Sequence, residues 1–270
     1  MKMKKERIDV LLVDQGIIDS REKAKRTIMA GLVLADGERV DKAGTKVPVD
    51  AVLTLKGEIS PYVSRGGLKL KKAVEAFHLN LKDKIVLDIG ASTGGFTDCA
   101  LQEGARLVYS LDVGYNQLAW KLRQHEQVIV MERTNFRYCT PADFDQGQPD
   151  FATIDVSFIS LRLILPALKE IISADGEVSA LIKPQFEAGR DEVGKKGIVR
   201  DPSVHEKVLK RTAEIAEEAG FAVINIVPSP IRGGEGNIEF LMHLRASGKS
   251  EYGEGEIRGT VKEAHEKPPQ

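Results

Sequence analysis

From Ile85 onward the chain repeats one pattern: a short apolar run, a polar turn, then a stretch with helical spacing. The apolar runs are IVLDIG (85–90), RLVYSLDV (106–113), QVIVME (127–132), DFATIDV (150–156), VSALIK (178–183), FAVINIV (221–227) and EFLMHLR (239–245). Helices fit between them at about 95–104, 115–124, 160–173 and 203–219. Such alternation predicts a mostly parallel sheet covered on both faces. No helical pattern separates the last two runs, so they can pair antiparallel and close a seven-stranded sheet.

The first part of the chain reads differently. ERIDVLLVDQGII (6–18) places Ile8, Leu11, Leu12 and Val13 on one helical face, with Gly16 near its end. Asp19 or Ser20 suits the N-cap of SREKAKRTIMAG, in which Ala24, Ile28 and Met29 can turn inward and Gly31 stops the helix. Short β segments follow: LVLAD, a turn at Gly37, RVDKAGTKV and AVLTLKG. A small α+β module is therefore expected over 1–58. A linker at 59–68 (ISPYVSRGGL) carries Pro61 and Gly66-Gly67. A helix from about Lys69 to Phe77 opens the main domain, 69–245. The polar stretch 246–270 is expected to be a mobile tail or a weakly docked helix.

Composition narrows the classes. At 270 residues, 42% hydrophobic and 29% charged, the chain is long enough for a real core and ordinary for a globular protein. No apolar run approaches the roughly 20 residues of a membrane helix. The basic N-terminus, MKMKKERIDVLLVDQG, is interrupted by Asp9 and Asp14 and does not read as a signal peptide, so the cytoplasm is the expected location. Cys99 and Cys139 form no CxxC pattern, and the five histidines are scattered without ligand spacing, so no metal site is expected. The net charge of −1 hides an asymmetry: 18 Lys+Arg against 12 Asp+Glu over 1–84, and 21 against 28 over the rest. A basic first part suits a polyanionic partner.

Arg7-Ile-Asp9, Leu11-Leu12, Ser20-Arg21-x-x-Ala24, Ile28, Gly31-x-Val33 and Asp36-Gly37 together resemble the S4 RNA-binding module. That resemblance implies that the second helix and its following loop lie against folded RNA. Arg7, Arg21, Lys23, Lys25 and Arg26 are then RNA-binding candidates whose phosphate contacts position rather than specify sequence. The plain alternative is a solvated basic face.

Asp88-Ile-Gly90-Ala91-Ser92-Thr-Gly94-Gly95-Phe96-Thr97 sits where the first strand of the main domain turns into its helix. Glycines there admit a ligand to the backbone, and the helix start offers free N–H groups. The spacing is not the G-x-G-x-x-G of pyrophosphate cofactors. It resembles motif I of S-adenosylmethionine (SAM) binding, and the seven-strand order fits the Rossmann-like SAM-dependent methyltransferase architecture. The resemblance implies cofactor contacts from these residues, from Asp112 and Val113 at the end of the second strand, and from Asn135 after the third.

Polar residues also fall at equivalent edges of the sheet. Asp155 ends the fourth strand, Lys183 the fifth, Glu239 opens the last, and Lys69 follows the Arg65-Gly66-Gly67 junction. Charge at the end of a buried strand is costly unless paired or functional. Lys69–Asp155–Lys183–Glu239 matches the K–D–K–E tetrad of FtsJ-like ribose 2′-O-methyltransferases. With the S4-like module in front, residues 1–245 resemble the TlyA family, also labelled haemolysin A, through SRGGLKL, DIGASTGGFT, DVGYNQL, TIDVSFISL and KPQFE.

The family resemblance implies 2′-O-methylation of cytidine in ribosomal RNA, with large-subunit RNA the widest target and small-subunit RNA a further one. A ribose hydroxyl is a poor nucleophile, so catalysis means positioning an in-line displacement and removing one proton. Two roles suit Lys183: proton acceptor, or stabiliser of the developing oxyanion. Asp155 would orient it, and Lys69 and Glu239 would hold the ribose and Lys183 in register.

Residues 184–205 form a long polar stretch whose Arg190, Lys195 and Lys196, with Arg65, are further RNA-contact candidates. Phe158 could stack on a flipped base or lie in the core. Competing readings are a non-catalytic RNA-binding ribosome assembly factor, a haemolysin, and a small-molecule methyltransferase. The intact tetrad speaks against the first, the lack of an insertion segment against the second, and the basic module against the third. Oligomeric state is not legible in the sequence.

Overall fold

The computed structural model describes residues 4–56, 60–233 and 236–269. The chain divides into two compact units, Met1–Pro61 and Tyr62–Gln270. The ends of the expected small module (1–3 and 57–58) and Ile59 of the expected linker lie outside the described residues.

In the smaller unit, β1 (Lys5–Arg7) leads into α1 (Ile8–Asp14), and α2 (Arg21–Met29) follows. Ser20 is the N-cap, its hydroxyl accepting from the Lys23 N–H at 3.3 Å. Four short strands complete the unit: β2 (Val33–Ala35), β3 (Glu38–Val40), β4 (Lys46–Pro48) and β5 (Leu53–Leu55). They pair as β3-β2-β5 and β1-β4, all antiparallel. The core is Ile8, Leu11, Leu12, Ile18, Ala24, Ile28, Val33 and Leu53. Met29, expected inside, is 64% exposed, because the helix turns its last residue outward.

The larger unit opens with α3 (Gly66–Phe77). It continues through β6 (Ile85–Ile89), α4 (Gly95–Gln102), β7 (Leu107–Leu111), α5 (Trp120–Arg123) and β8 (Val128–Met131). Next come β9 (Phe151–Ile154), α6 (Leu165–Ile171), β10 (Glu177–Ile182), α7 (Pro184–Glu187) and α8 (Pro202–Glu218). The unit closes with β11 (Ala222–Pro228), β12 (Phe240–Arg245) and α9 (Glu254–Glu266). The strand order is β11-β12-β10-β9-β6-β7-β8, parallel except where β12 runs antiparallel to both β10 and β11. The carboxyl ends of β6, β7, β9 and β10 therefore share one edge, and β12 starts there, bringing Glu239 to the same place.

Three segments differ from the sequence expectation. The connector is shorter, because Tyr62 and Val63 are buried in the larger unit and the Val63 N–H donates to Asp98 Oδ2 at 2.7 Å. The helix expected over 115–124 shrinks to α5. Glu132 accepts from the Asn116 and Gln117 N–H groups at 2.9 and 3.2 Å and pins the preceding residues as a loop. The C-terminal segment, expected as a mobile tail or a weakly docked helix, forms α9 with Ile257, Val261 and Ala264 buried in the main core. Its apolar residues sit at i, i+4 and i+7, enough for a narrow buried stripe on an otherwise polar helix.

Candidate active site

The tetrad residues meet although they come from α3, the ends of β9 and β10, and the start of β12. Lys183 Nζ lies 2.5 Å from Asp155 Oδ1, and Lys69 Nζ lies 3.9 Å from Asp155 Oδ2. Lys69 also donates to Glu239 Oε2 at 2.6 Å. The result is a chain of alternating charge, Lys183–Asp155–Lys69–Glu239. It is most buried at Glu239, 1% exposed, and opens toward Asp155, 21% exposed. Alternation is what allows four charges to share a half-buried site. The sequence missed Ser157: its hydroxyl accepts a hydrogen bond from Lys183 Nζ at 3.0 Å. The only signal was a polar side chain two residues past Asp155.

Beside the tetrad, at the ends of β6, β7 and β9, lies a cavity of about 470 Å³. Gly90, Ser92, Asp112, Val113 and Asn135 line it, joined by Asp155, Ser157 and Phe158. Gln117, Phe136 and Arg137, absent from the sequence reading, line it too. Gly90 has φ +89°, and a Cβ there would run into the Asp155 carbonyl, so the loop is drawn tight against the end of β9. Asp112 holds that loop: Oδ2 accepts from the Ser92 N–H and Oδ1 from the Gly114 N–H, both at 2.7 Å. A carboxylate has about four acceptor positions, so two stay available to a ligand hydroxyl.

The other motif residues stand behind the cavity wall. Ala91 packs with Val63, Leu118 and Leu122. Gly94 (φ +93°) lies against Leu118 and Leu122, and Gly95 faces Ser64 and Gly67. Phe96 and Thr97 are buried. Asp88, expected at the cofactor, is 1% exposed beneath the loop. It accepts from Thr97 Oγ1 at 2.6 Å and Thr153 Oγ1 at 2.9 Å, and Thr97 also meets Ser110 Oγ at 2.8 Å. Thr153 and Ser110 are its register neighbours on β9 and β7. Burial pushes the Asp88 carboxyl up to about 6, with the hydroxyl donors opposing.

A second cavity of about 340 Å³ adjoins the tetrad, lined by Ser157, Phe158, Lys183, Gln185, Phe186 and Glu239 among others. Phe158 is not core: it is 90% exposed at φ +62°, with its ring 5.0 Å from that of Phe186. An exposed bulky side chain in the left-handed region is strained, and strain of that kind concentrates at functional sites. The polar stretch after β10 is held in place, since Asn237 accepts from the Val199 N–H at 3.0 Å and donates to the Gly197 carbonyl at 2.9 Å.

The RNA-contact candidates divide. Arg7 and Arg21 both donate to the buried Asp9, at 2.8 Å through Nε and 2.9 Å through Nη2 respectively. Lys23 pairs with Asp19 at 2.8 Å. Lys25 and Arg26 make no ion pair among the described residues. Arg65, Arg190, Lys195 and Lys196 are exposed, and Lys196 lines the second cavity.

Comparison with known proteins agrees with this geometry. The family model described as FtsJ-like methyltransferase matches residues 62–246, and the S4 domain model matches 6–53. The Bacillus subtilis protein provisionally named rRNA methyltransferase YqxC is 60% identical, over 98% of this chain and 96% of its own. The 16S/23S rRNA (cytidine-2′-O)-methyltransferase TlyA of Mycobacterium tuberculosis is 42% identical, over 88% and 89%. A solved Streptococcus thermophilus structure, provisionally described as a hemolysin, is 56% identical with a TM-score of 0.79, covering 98% of this chain and 97% of its own. The chain thus belongs to the FtsJ-like methyltransferase family, is a SAM-dependent enzyme, and carries an S4 domain at its N-terminus.

Proposed function

We propose that this chain transfers the methyl group of SAM to the ribose 2′-hydroxyl of a cytidine in ribosomal RNA, in the large subunit and also in the small. The observation that carries the reading is the continuous Lys183–Asp155–Lys69–Glu239 chain at the rim of the cofactor cavity. Kinship with TlyA, named as a 16S/23S rRNA (cytidine-2′-O)-methyltransferase, supports cytidine as the target.

The cavity fits SAM: Gly90 gives the close backbone approach, and Asp112 keeps acceptor positions for the ribose hydroxyls. When bound there, SAM supplies an electrophilic methyl on a sulfonium. Gly90, Ser92, Asp112, Val113 and Asn135 would hold it, while Asp88, Thr97, Gly94 and Gly95 support the loop from behind. Lys183 meets the attacking 2′-oxygen as its proton leaves. Asp155 and Ser157 fix the Lys183 amine, and Glu239 holds Lys69 against Asp155. Phe158 offers its exposed face to the flipped base. Lys25 and Arg26, and the donors of Arg7 and Arg21 not used by Asp9, meet RNA phosphates. Arg65, Arg190, Lys195 and Lys196 do so around the site.

The test is transfer of labelled methyl from SAM to isolated small and large ribosomal subunits by the intact protein, Lys183→Ala and Lys183→Arg. Label in the ribose of a cytidine, lost in Lys183→Ala, is the expected result. Recovery by Arg would assign Lys183 an electrostatic role, since a guanidinium cannot accept the proton. SAM binding without label on any RNA would favour an assembly factor instead.

A further inference from the structure

Phe158 needs a hold from outside itself. A bulky residue in the left-handed region, here at φ +62°, persists only where its surroundings over-determine it. Its side chain is 90% exposed, so burial does not supply that hold. Phe158 also lines both the cofactor cavity and the second cavity, so its placement shapes the space on either side.

The segment from Ser157 to Leu161 meets the turn after β10 at three points. Ser157 accepts from Lys183 Nζ at 3.0 Å, and the Phe158 and Phe186 rings stand 5.0 Å apart. Glu187 then takes the far end: Oε2 accepts from Ser160 Oγ at 2.7 Å and Oε1 from the Leu161 N–H at 2.8 Å. Ser160 Oγ in turn accepts from the Arg162 N–H at 3.1 Å. Glu187 thus closes the start of the 3₁₀ turn Leu161–Leu163, whose Leu161 is anchored in the main core.

The four-residue α7 cannot supply rigidity alone, since so short a helix is far below the length that is stable by itself. Lys183 fixes its start to Asp155 and Ser157, and Glu187 fixes its end. Burial pushes the Glu187 carboxyl up, opposed by the Leu161 N–H, the Ser160 hydroxyl and the charge of Arg211. Glu187 lines neither cavity, so it can act on the reaction only through the segment it holds.

Resting on the ribose-methylation reading above, we propose that Glu187 is a positioning residue that, through Ser160 and Leu161, holds Phe158 in its open conformation for the flipped base. It sets the far end of the wall whose near end Lys183 sets.

The experiment is a double-mutant cycle on single-turnover transfer of labelled methyl from SAM to ribosomal subunits, with RNA and SAM saturating. Glu187→Ala is expected to slow transfer about tenfold, as the loss of a positioning contact does. In a Phe158→Ala background the same change should cost less than about twofold, because the side chain it positions is gone. Equal losses in the two backgrounds would overturn the assignment, since a general loosening of the fold multiplies with the loss of Phe158. Glu187→Gln keeps an acceptor for the Leu161 N–H and should recover most of the rate. A Gln variant as slow as Ala would show that charge alone acts and would also overturn it. Ser160→Ala removes one donor from the same carboxylate and serves the cycle if Glu187→Ala does not fold. SAM affinity in calorimetry should hold; a fall matching the loss of rate would place the defect in the cofactor cavity and overturn the assignment. A wild-type protein that labels no RNA would remove the methylation reading, and this inference with it.

Discussion

Asp9 and Asp155 are each placed between two cations, one in each unit, and the two arrangements serve opposite ends. Asp9 is fully buried and grips two guanidiniums, Arg7 and Arg21, which hold its carboxyl down at about 2. Arginine is permanently charged and its fork is planar, so this cluster is a fixed clamp between α1 and α2. Asp155 sits between two ammoniums, Lys183 and Lys69, at a cavity mouth. Lysine is a compact point charge on a flexible stem, so the same charge pattern suits the methyl transfer proposed above. Asp88 completes the contrast: its partners are the Thr97 and Thr153 hydroxyls and the Thr97 backbone N–H, and burial drives its carboxyl the other way, up to about 6. The identity of the partners decides whether a carboxylate is a clamp, a bridge between two ammoniums or a support beneath a loop.

The largest effect that would break this comparison is on rate. Lys183→Ala should lower methyl transfer by about 10³-fold, within the range of a lost acid–base group, with SAM affinity preserved in calorimetry. Asp155→Asn should likewise cost rate, and also stability, because it leaves the largely buried Lys183 and Lys69 ammoniums without the carboxylate between them.

The next effect is on stability and its pH dependence. The folded Asp88 binds its proton more tightly than the unfolded group, so stability falls as pH rises from about 3.8 to about 6. The shift corresponds to about 3 kcal/mol, and denaturant titrations should show that slope vanish in Asp88→Asn. Asp9 has the opposite sign. Its contribution, about 2 kcal/mol, is present above pH 3.8 and lost as pH falls through about 2. Asp9→Asn should weaken the small unit at neutral pH while leaving catalysis on a short RNA substrate unaltered. The smallest change is Thr153→Val, which removes one donor to Asp88. It should cost about 1 kcal/mol at neutral pH and move the Asp88 window upward.

Much of the larger unit was legible. Parallel strands covered on both faces read as near-continuous apolar runs, so β6 to β12 stand close to where the pattern puts them. Asp155, Lys183 and Glu239 stood out because charge at a buried strand end is costly unless it is paired or functional. The clamp at Asp9 was not legible. In the sequence Arg7 and Arg21 are simply basic, and only the fold shows that an acid on α1 reaches both. Ser157 escaped for a related reason: its importance lies in the Lys183 ammonium that faces it, and nothing in its own type announces it.

The chain by itself determined its two-part character, the order of strands and helices, the glycine-rich turn after β6 and the four tetrad positions. The first three depend on periodicity and backbone freedom, carried by neighbours in the sequence, and the tetrad positions rest on the resemblance to the FtsJ-like pattern. Tertiary structure alone decided which cation meets which carboxylate, that Asp88 supports the glycine-rich loop from behind, and that Phe158 lies open. It also docked α9. Those outcomes turn on groups far apart in the chain, such as Lys69 and Glu239, whose separation in space is set only when the sheet closes.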